Sequence, residues 1–146
     1  MAFNGYYVDS CIWLNLFKME IGSNSIVPSW KIAKDFFEKI IFSEDKIYYS
    51  GFVIKELSGK LDADQLQDKI KYIRSEKNFV YIKATEEDYA FARNLEQEFG
   101  FKISFFDCMH IAICKRNNFV LVTRDKLLIG LSGQYIPVMK PEELFP

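Results

Sequence analysis

Four acidic residues stand at positions where the side chains of an α/β protein meet a ligand. Asp9 closes the first strand-like run of the chain, and Glu56 lies in the helical segment that follows the second. Asp107 falls in the first turn of a later helical segment, and Asp125 comes just beyond the apolar run Phe119 to Val122. Because ligands bind beyond the carboxyl ends of the strands in an open α/β sheet, we expect these four carboxylates to meet at one edge of a sheet.

The chemistry that four clustered carboxylates support is metal binding. Anions at close range repel one another unless they are protonated or held by cations, and ligands that offer only oxygen suit Mg²⁺ or Mn²⁺. A bound metal lowers the pKa of a water ligand and stabilises charge on a phosphodiester transition state. This chemistry needs no Ser, Cys or His nucleophile, and the chain has only one histidine. We therefore predict that the metal ligands and catalytic residues of a nuclease are Asp9, Glu56, Asp107 and Asp125.

Four other side chains are candidates for supporting this site. Ser10 and Thr123 can add hydroxyl ligands or hydrogen bonds to the carboxylates. His110 lies three residues after Asp107, so the two side chains lie on nearly the same face of a helix. His110 could touch substrate or tune Asp107, but a structural histidine with satisfied hydrogen bonds is the favoured interpretation. Arg124 could contact a phosphate, although a solvated arginine is the default at such a position.

Each acidic residue also has an ordinary structural interpretation when it is taken alone. Asp9 is favoured as a helix cap, and Asp107 follows Ser104 at the spacing of a capping box. Asp125 can form a turn, and a helical Glu56 is usually a solvated surface residue. Only the combination of all four at one edge of a sheet favours a metal site.

The apolar pattern predicts short strands that alternate with helices. The helix opened by Thr85 is expected to bury one stripe: Tyr89, Ala92, Leu95 and Phe99. The polar segment Gly22 to Pro28 is predicted as a loop. Such alternation implies helices on both faces of a parallel sheet. We predict a single domain over residues 1–146, a three-layer α/β/α sandwich with a mostly parallel five-stranded sheet: Tyr6 to Val8, Lys46 to Ser50, Phe79 to Ile82, Phe119 to Val122 and Tyr135 to Val138.

Composition narrows the function classes. The chain has 19 basic and 20 acidic residues and a formal net charge of −1, which is unlike a strongly basic nucleic-acid binder. Neutralisation of four carboxylates by cations would leave a small positive excess, so the charge balance does not exclude RNA. Three cysteines without a C-x-x-C pair indicate reduced thiols in a cytoplasmic protein and argue against zinc. We find no apolar run long enough for a membrane span and no signal-peptide pattern.

Four segments of the chain, taken together, resemble the PIN domains, and most closely the toxin nucleases of VapBC toxin–antitoxin modules. The segments occur in the family's order and cover nearly the whole chain. One difference is that many of the toxins have Asp-Thr followed by Asn or Ser, where this chain has Asp9-Ser10-Cys11. The matching segments are Tyr7-Val8-Asp9-Ser10, Val53-Ile54-Lys55-Glu56-Leu57, Phe106-Asp107-Cys108-Met109-His110-Ile111-Ala112 and Leu121-Val122-Thr123-Arg124-Asp125.

The resemblance implies a fold, an activity and partners. It implies a parallel sheet between layers of helices, and Mg²⁺ or Mn²⁺ held at Asp9, Glu56, Asp107 and Asp125. It implies cleavage of single-stranded RNA regions. For the toxin branch it also implies a homodimer and a cognate antitoxin protein that blocks the site.

Several alternatives remain at this point. One is a PIN-like module that binds RNA or a protein without cutting, and another is an RNA-processing nuclease that is not a toxin. Phosphoryl-transfer domains of the haloacid dehalogenase type also place an Asp after the first strand, but they usually have a second Asp where this chain has Cys11. Response receivers need an acidic pair that we do not find, and a dinucleotide-binding domain needs a glycine fingerprint that residues 9–16 lack.

Overall fold

The computed structural model describes residues 3–18 and 28–144, which form a five-stranded sheet with helices on both sides. The strands pair in the order β3-β2-β1-β4-β5, and every pair is parallel. The predicted α/β fold with a mostly parallel sheet is therefore confirmed, and the sheet is parallel throughout. The strands are β1 Gly5–Val8, β2 Ile47–Tyr49, β3 Phe79–Tyr81, β4 Phe119–Val122 and β5 Val138–Met139.

Helices connect the strands, and most of them begin at a side chain that caps the helix. Ser50, Thr85 and Ser104 each accept a hydrogen bond from a backbone N–H in the first turn of the helix that follows. Asp62 does the same and shares a capping box with Gln65. The last element among the described residues is a 3₁₀ turn, Pro141–Leu144. The helices are α1 Ser10–Phe17, α2 Ser29–Ile41, α3 Gly51–Ser58, α4 Ala63–Ser75, α5 Glu86–Glu98, α6 Phe105–Asn117 and α7 Lys126–Ser132.

The strand order places the two central strands, β1 and β4, at the point where the topology reverses. From β1 the chain proceeds outward on one side through β2 and β3, and it returns to the other side of β1 with β4. Val8 at the end of β1 pairs with Val122 at the end of β4. Asp9 and Thr123 are therefore neighbours at the carboxyl edge, where parallel α/β sheets bind ligands.

Two apolar layers hold this edge in place. On one side, the rings of Trp13 and Phe37 lie 4.5 Å apart, and Phe79 meets Trp13 edge to face at 5.2 Å. On the other side, α6 is buried along seven consecutive residues, Cys108 to Cys114. Seven consecutive buried residues leave no side of this part of α6 open to solvent, so packing fixes the position of His110 and of the turn that carries Asp107.

Two local predictions were wrong. The fifth strand comprises Val138–Met139 rather than Tyr135 to Val138, because a turn closed by Ser132 backbone hydrogen bonds occupies Tyr135 and Ile136. Tyr89 is not buried with Ala92 but is 46% exposed, because it lies at the margin of the buried stripe of α5 and its ring packs on Phe52 at the surface. Most of the predicted loop Gly22 to Pro28 lies outside the described residues.

None of the helices in residues 3–18 and 28–144 is both long enough and apolar enough to cross a bilayer.

Candidate metal centre

Three carboxylates and one imidazole meet at the carboxyl edge of the sheet. Asp9 follows β1, Glu56 lies on α3, and both Asp107 and His110 lie on α6. One ligand atom from each of these four side chains lies within 4.8 Å of the other three. Asp9 is 4% exposed and His110 is fully buried. Groups of these types at this spacing could hold one metal ion between the sheet and two helices.

Asp9 is held in place by the neighbouring strand β4. The hydroxyl of Thr123 donates a hydrogen bond to Asp9 Oδ2 at 2.8 Å, and the thiol of Cys11 donates to the same oxygen at 3.3 Å. Thr123 is itself fixed, since its Oγ1 accepts the backbone N–H of Asp125 at 3.2 Å. The second carboxylate oxygen, Oδ1, lies 3.8 Å from His110 Nε2. Asp9 is thereby oriented with one oxygen held by the protein and the other directed toward the cluster.

Glu56 is oriented by a chain of buried hydrogen bonds. His110 Nε2 lies 2.7 Å from Glu56 Oε1, and His110 Nδ1 lies 2.7 Å from the hydroxyl of Tyr7. Tyr7 in turn lies 2.6 Å from the hydroxyl of Ser50, which accepts the backbone N–H of Phe52. A neutral His110 that carries its proton on Nε2 satisfies the whole chain: Ser50 donates to Tyr7, Tyr7 to Nδ1, and Nε2 to the Glu56 carboxylate.

These hydrogen bonds give His110 a different role from that of the three acids. Both of its ring nitrogens are engaged by protein groups, so it has no free lone pair to offer to a metal. It acts instead as the support of Glu56, in the way that groups behind a metal ligand fix its direction. The favoured interpretation of His110 from the sequence, a histidine with satisfied hydrogen bonds, agrees with this geometry.

The electrostatics of the cluster show an excess of negative charge. Burial, together with the charges of Asp9, Glu56 and Asp125, raises the pKa of Asp107 to about 6, although His110 opposes the rise. Burial lowers the pKa of His110, but the hydrogen bond that its Nε2 donates to Glu56 and the nearby carboxylates raise it above its ordinary value overall. The surrounding carboxylates raise both pKa values, whereas burial raises the pKa of Asp107 and lowers that of His110. In the part of the chain that the structure describes, no Lys or Arg side chain pairs with these acids.

Three residues predicted for the site take other positions around it. Asp125 lies outside the 4.8 Å group and caps α7, where its Oδ1 accepts the backbone N–H groups of Leu127 and Leu128. It is still close enough to raise the pKa of Asp107. Arg124 is engaged by Glu142 at 2.8 and 3.2 Å. Ser10 is buried at the first position of α1.

The donor set fits a hard divalent cation. Mg²⁺ and Mn²⁺ prefer carboxylate oxygens and a few water ligands, and Asp9, Glu56 and Asp107 provide three carboxylates with protein support behind two of them. A cation there would offset the charge that raises the pKa of Asp107. Zinc fits less well, since the nearby thiol of Cys11 is held protonated by burial and by Asp9, which raise its pKa.

Tyr7, Ser50 and Cys11 were missed as parts of the site. Tyr7 was interpreted only as a strand residue, Ser50 as a strand end, and Cys11 as a departure from the Asn or Ser of the toxins. The signal for Tyr7 was available, because a tyrosine in the middle of an inner strand must find a hydrogen-bond partner for its hydroxyl. The partner itself, His110, lies 103 residues away and could not be found from the sequence.

The fold of this chain is similar to the folds of several solved toxin–antitoxin proteins. A toxin–antitoxin complex from Klebsiella pneumoniae has a chain 19% identical to this one, with a TM-score of 0.66 over 94% of this chain and 98% of that chain. VapBC2 from Rickettsia felis, solved with a DNA fragment from its promoter, gives 16% identity and a TM-score of 0.68 over 92% and 97%. Mycobacterium tuberculosis VapC20, described as a toxin that cleaves the sarcin-ricin loop, gives 15% identity and a TM-score of 0.66 over 86% and 94%.

At such identities these neighbours establish the fold. No curated protein sequence matches the chain. The sequence profile of the PIN domain, however, matches residues 6–131, which include Asp9, Glu56, Asp107 and Asp125. The sheet order, the cluster at its carboxyl edge and this match agree, and the chain belongs to the PIN domain family.

Proposed function

We propose that this protein is a divalent-metal-dependent endoribonuclease that cuts single-stranded regions of RNA, and that it is the toxin of a type II toxin–antitoxin module. The observation that carries the proposal is the group of three carboxylates within 4.8 Å, with Asp107 raised to a pKa of about 6 by burial and neighbouring anions. A binding module has no need of carboxylates that repel one another, whereas a metal site needs them as ligands and relieves the repulsion when the cation binds.

In this proposal Asp9, Glu56 and Asp107 hold Mg²⁺ or Mn²⁺, and Asp125 completes the negative edge as a more distant ligand or through a water. When bound, the metal supplies an activated water and stabilises charge on the phosphodiester. The protein's own contribution is orientation. Thr123 fixes Asp9, the chain from Ser50 through Tyr7 and His110 fixes Glu56, and the buried α6 holds Asp107.

The partners proposed are RNA, a cognate antitoxin and a second copy of the chain. Support comes from the neighbours, several of which were solved as toxin–antitoxin complexes. Another neighbour is described as a toxin that cleaves the sarcin-ricin loop. The cytoplasmic location that the free thiols indicate is part of the same proposal, because it is where such a toxin meets its RNA.

The test is cleavage of a mixed single-stranded RNA by the purified protein with Mn²⁺, with Mg²⁺ and with EDTA. We expect cleavage that requires the metal and that falls at least about 100-fold in Asp107→Asn, since even residues behind a metal ligand change activity by 10- to 100-fold. A matched control is Asp64→Asn, an exposed acid in the first turn of α4. Cleavage unchanged in Asp107→Asn would assign the activity to a contaminant, and no cleavage under any condition would favour the binding module.

A further inference from the structure

A pocket lined by aromatic rings and lysines opens beside the acidic cluster. It has a volume of about 390 Å³, and its walls include Phe52, Tyr81, Tyr89 and Phe106. Tyr81 and Tyr89 are 54% and 46% exposed, so much of their ring surface faces solvent. The rings of Phe52 and Phe106 lie 5.0 Å apart and meet edge to face, which gives the pocket a firm floor.

The two helices that supply Glu56 and Asp107, α3 and α6, also contribute walls to the pocket. Phe52 precedes Glu56 by four residues on α3, so the two lie on one face, about 6 Å apart along the helix axis. Phe106 immediately precedes Asp107 at the start of α6. A nucleotide chain whose phosphate lies at the acidic cluster can therefore place a neighbouring nucleotide over this pocket.

The charge of the pocket suits phosphate. Lys55 and Lys83 are exposed and line it. Among residues 3–18 and 28–144, neither ammonium group is engaged in an ion pair, in contrast to the paired Arg116 and Arg124. The backbone at Lys83 is held, because its carbonyl accepts a hydrogen bond from Arg116 at 3.1 Å. Two free cations around solvent-facing rings are the combination that binds single-stranded nucleic acid, where bases stack on aromatic side chains and lysines follow the backbone.

We propose that this pocket is a base-stacking subsite of the protein, in which Tyr81 and Tyr89 stack on an unpaired base of an RNA strand while Lys55 and Lys83 contact its phosphates. The inference rests on the proposed function for the identity of the ligand as RNA, and it adds the element that selects single strands. A base held in a duplex cannot offer its face to the tyrosines, so the subsite favours unpaired regions.

The test measures binding without cleavage. A short single-stranded RNA carrying 2-aminopurine, whose fluorescence falls when it stacks, is titrated with the full chain in EDTA. An abasic oligonucleotide of the same length is titrated in parallel. We expect quenching with the natural chain, and loss of quenching in Tyr81→Ala and Tyr89→Ala with roughly fivefold or greater weakening of binding per ring. The abasic oligonucleotide should bind the natural chain and both tyrosine variants equally.

The lysines give a second, independent readout. Lys55→Ala and Lys83→Ala should weaken the binding of both oligonucleotides and should each reduce the slope of log affinity against log salt by about one. Phe42→Ala, which removes a ring that is 88% exposed outside the pocket, is the control for the tyrosines. Lys31→Ala, an exposed lysine on α2, is the control for the lysines. Both controls should bind like the natural chain.

Two results would overturn the subsite. The first is quenching and affinity unchanged in the tyrosine variants. The second is that the tyrosine variants bind the 2-aminopurine and abasic oligonucleotides equally more weakly, while light scattering shows that they have changed from dimer to monomer. The surface would then belong to the contact with a second copy of the chain. The outcome is separate from the nuclease test. Base-dependent binding by a protein that never cuts would leave the subsite and reject the nuclease, and cutting with unchanged quenching would do the reverse.

Discussion

The two ends of α6 carry charged residues in opposite environments, one among like charges and one in an ion pair. At the amino end, Asp107 faces two other carboxylates and its pKa is raised to about 6 by burial and by those anions. At the carboxyl end, Arg116 meets Asp88, a carboxylate only 2% exposed. Three contacts of 2.8 to 3.0 Å join the guanidinium to the two carboxylate oxygens.

Both charges have the sign that the helix dipole favours at their end of the helix, so the dipole does not explain the difference. Pairing explains it. Asp88 also accepts the backbone N–H of Thr85 at 2.9 Å in a capping box, so its buried oxygens are fully used by the protein. In the described part of the chain no hydrogen bond or ion pair engages the carboxylate of Asp107, so its oxygens are left for a ligand from outside. The ion pair at the carboxyl end stabilises the fold, whereas the clustered carboxylates at the amino end destabilise it and form the candidate metal site.

The largest expected effect is at the paired end. Asp88→Ala should lower the free energy of unfolding by about 3 kcal/mol, because removal of one partner leaves a charge and a helix start without their hydrogen bonds. The value is at the lower end for buried pairs since Arg116 is 28% exposed. Urea denaturation monitored by circular dichroism measures it.

The matched control for that change is Glu38→Ala, which removes a pair with Lys34 at 3.9 Å in which both side chains are about half exposed. We expect a change of about 0.5 kcal/mol or less. Equal losses in the two variants would mean that burial of the Asp88 pair contributes nothing beyond an ordinary surface contact.

At the unpaired end the sign should reverse. With EDTA present at pH 7, Asp107→Asn should raise the free energy of unfolding by on the order of 1 to 2 kcal/mol, because it removes one of several repelling anions. The gain is reduced by the lost attraction between a carboxylate and the amino end of α6. Urea denaturation measures this change. Differential scanning calorimetry with and without Mn²⁺ should show that the metal stabilises the natural chain and has little effect on the variant. A variant less stable than the natural chain in EDTA would contradict the repulsion.

The smallest expected effect is a change of the free energy of unfolding with pH. The folded-state pKa of Asp107, about 6, lies above its ordinary value of 3.8. Between these values the folded protein holds a proton that the unfolded chain has released, so stability falls as pH rises through this window. In EDTA, Asp107 should contribute a fall of about 1 kcal/mol per pH unit, to be measured by urea denaturation at several pH values. The raised pKa of His110 acts in the same direction above pH 6.5.

The control for the pH slope is Asp107→Asn. The difference between the natural chain and this variant should change through the window from about 4 to 6 and be constant above it. A difference that is flat across the window would show that Asp107 is ionised in the folded protein at an ordinary pH.

Much of this fold follows from local sequence signals. The strand Phe119–Val122 has the bounds that were predicted, because an uninterrupted apolar run leaves little choice. The capping box at Thr85 begins α5 as predicted. Where two interpretations compete locally the prediction failed, as at Tyr89, whose ring is apolar enough for a core and polar enough for a surface.

The same distinction between local signals and long-range contacts holds for the candidate metal site. The sequence by itself determined which residue types could bind a metal and on which elements they stand, since parallel strands bring their carboxyl ends to one edge. Only the tertiary structure decided that Asp9, Glu56 and Asp107 meet, that His110 supports Glu56 through Tyr7 and Ser50, and that Asp125 caps α7. These choices depend on contacts between residues as much as 103 positions apart, and such contacts are set by how helices pack on the sheet rather than by any local pattern.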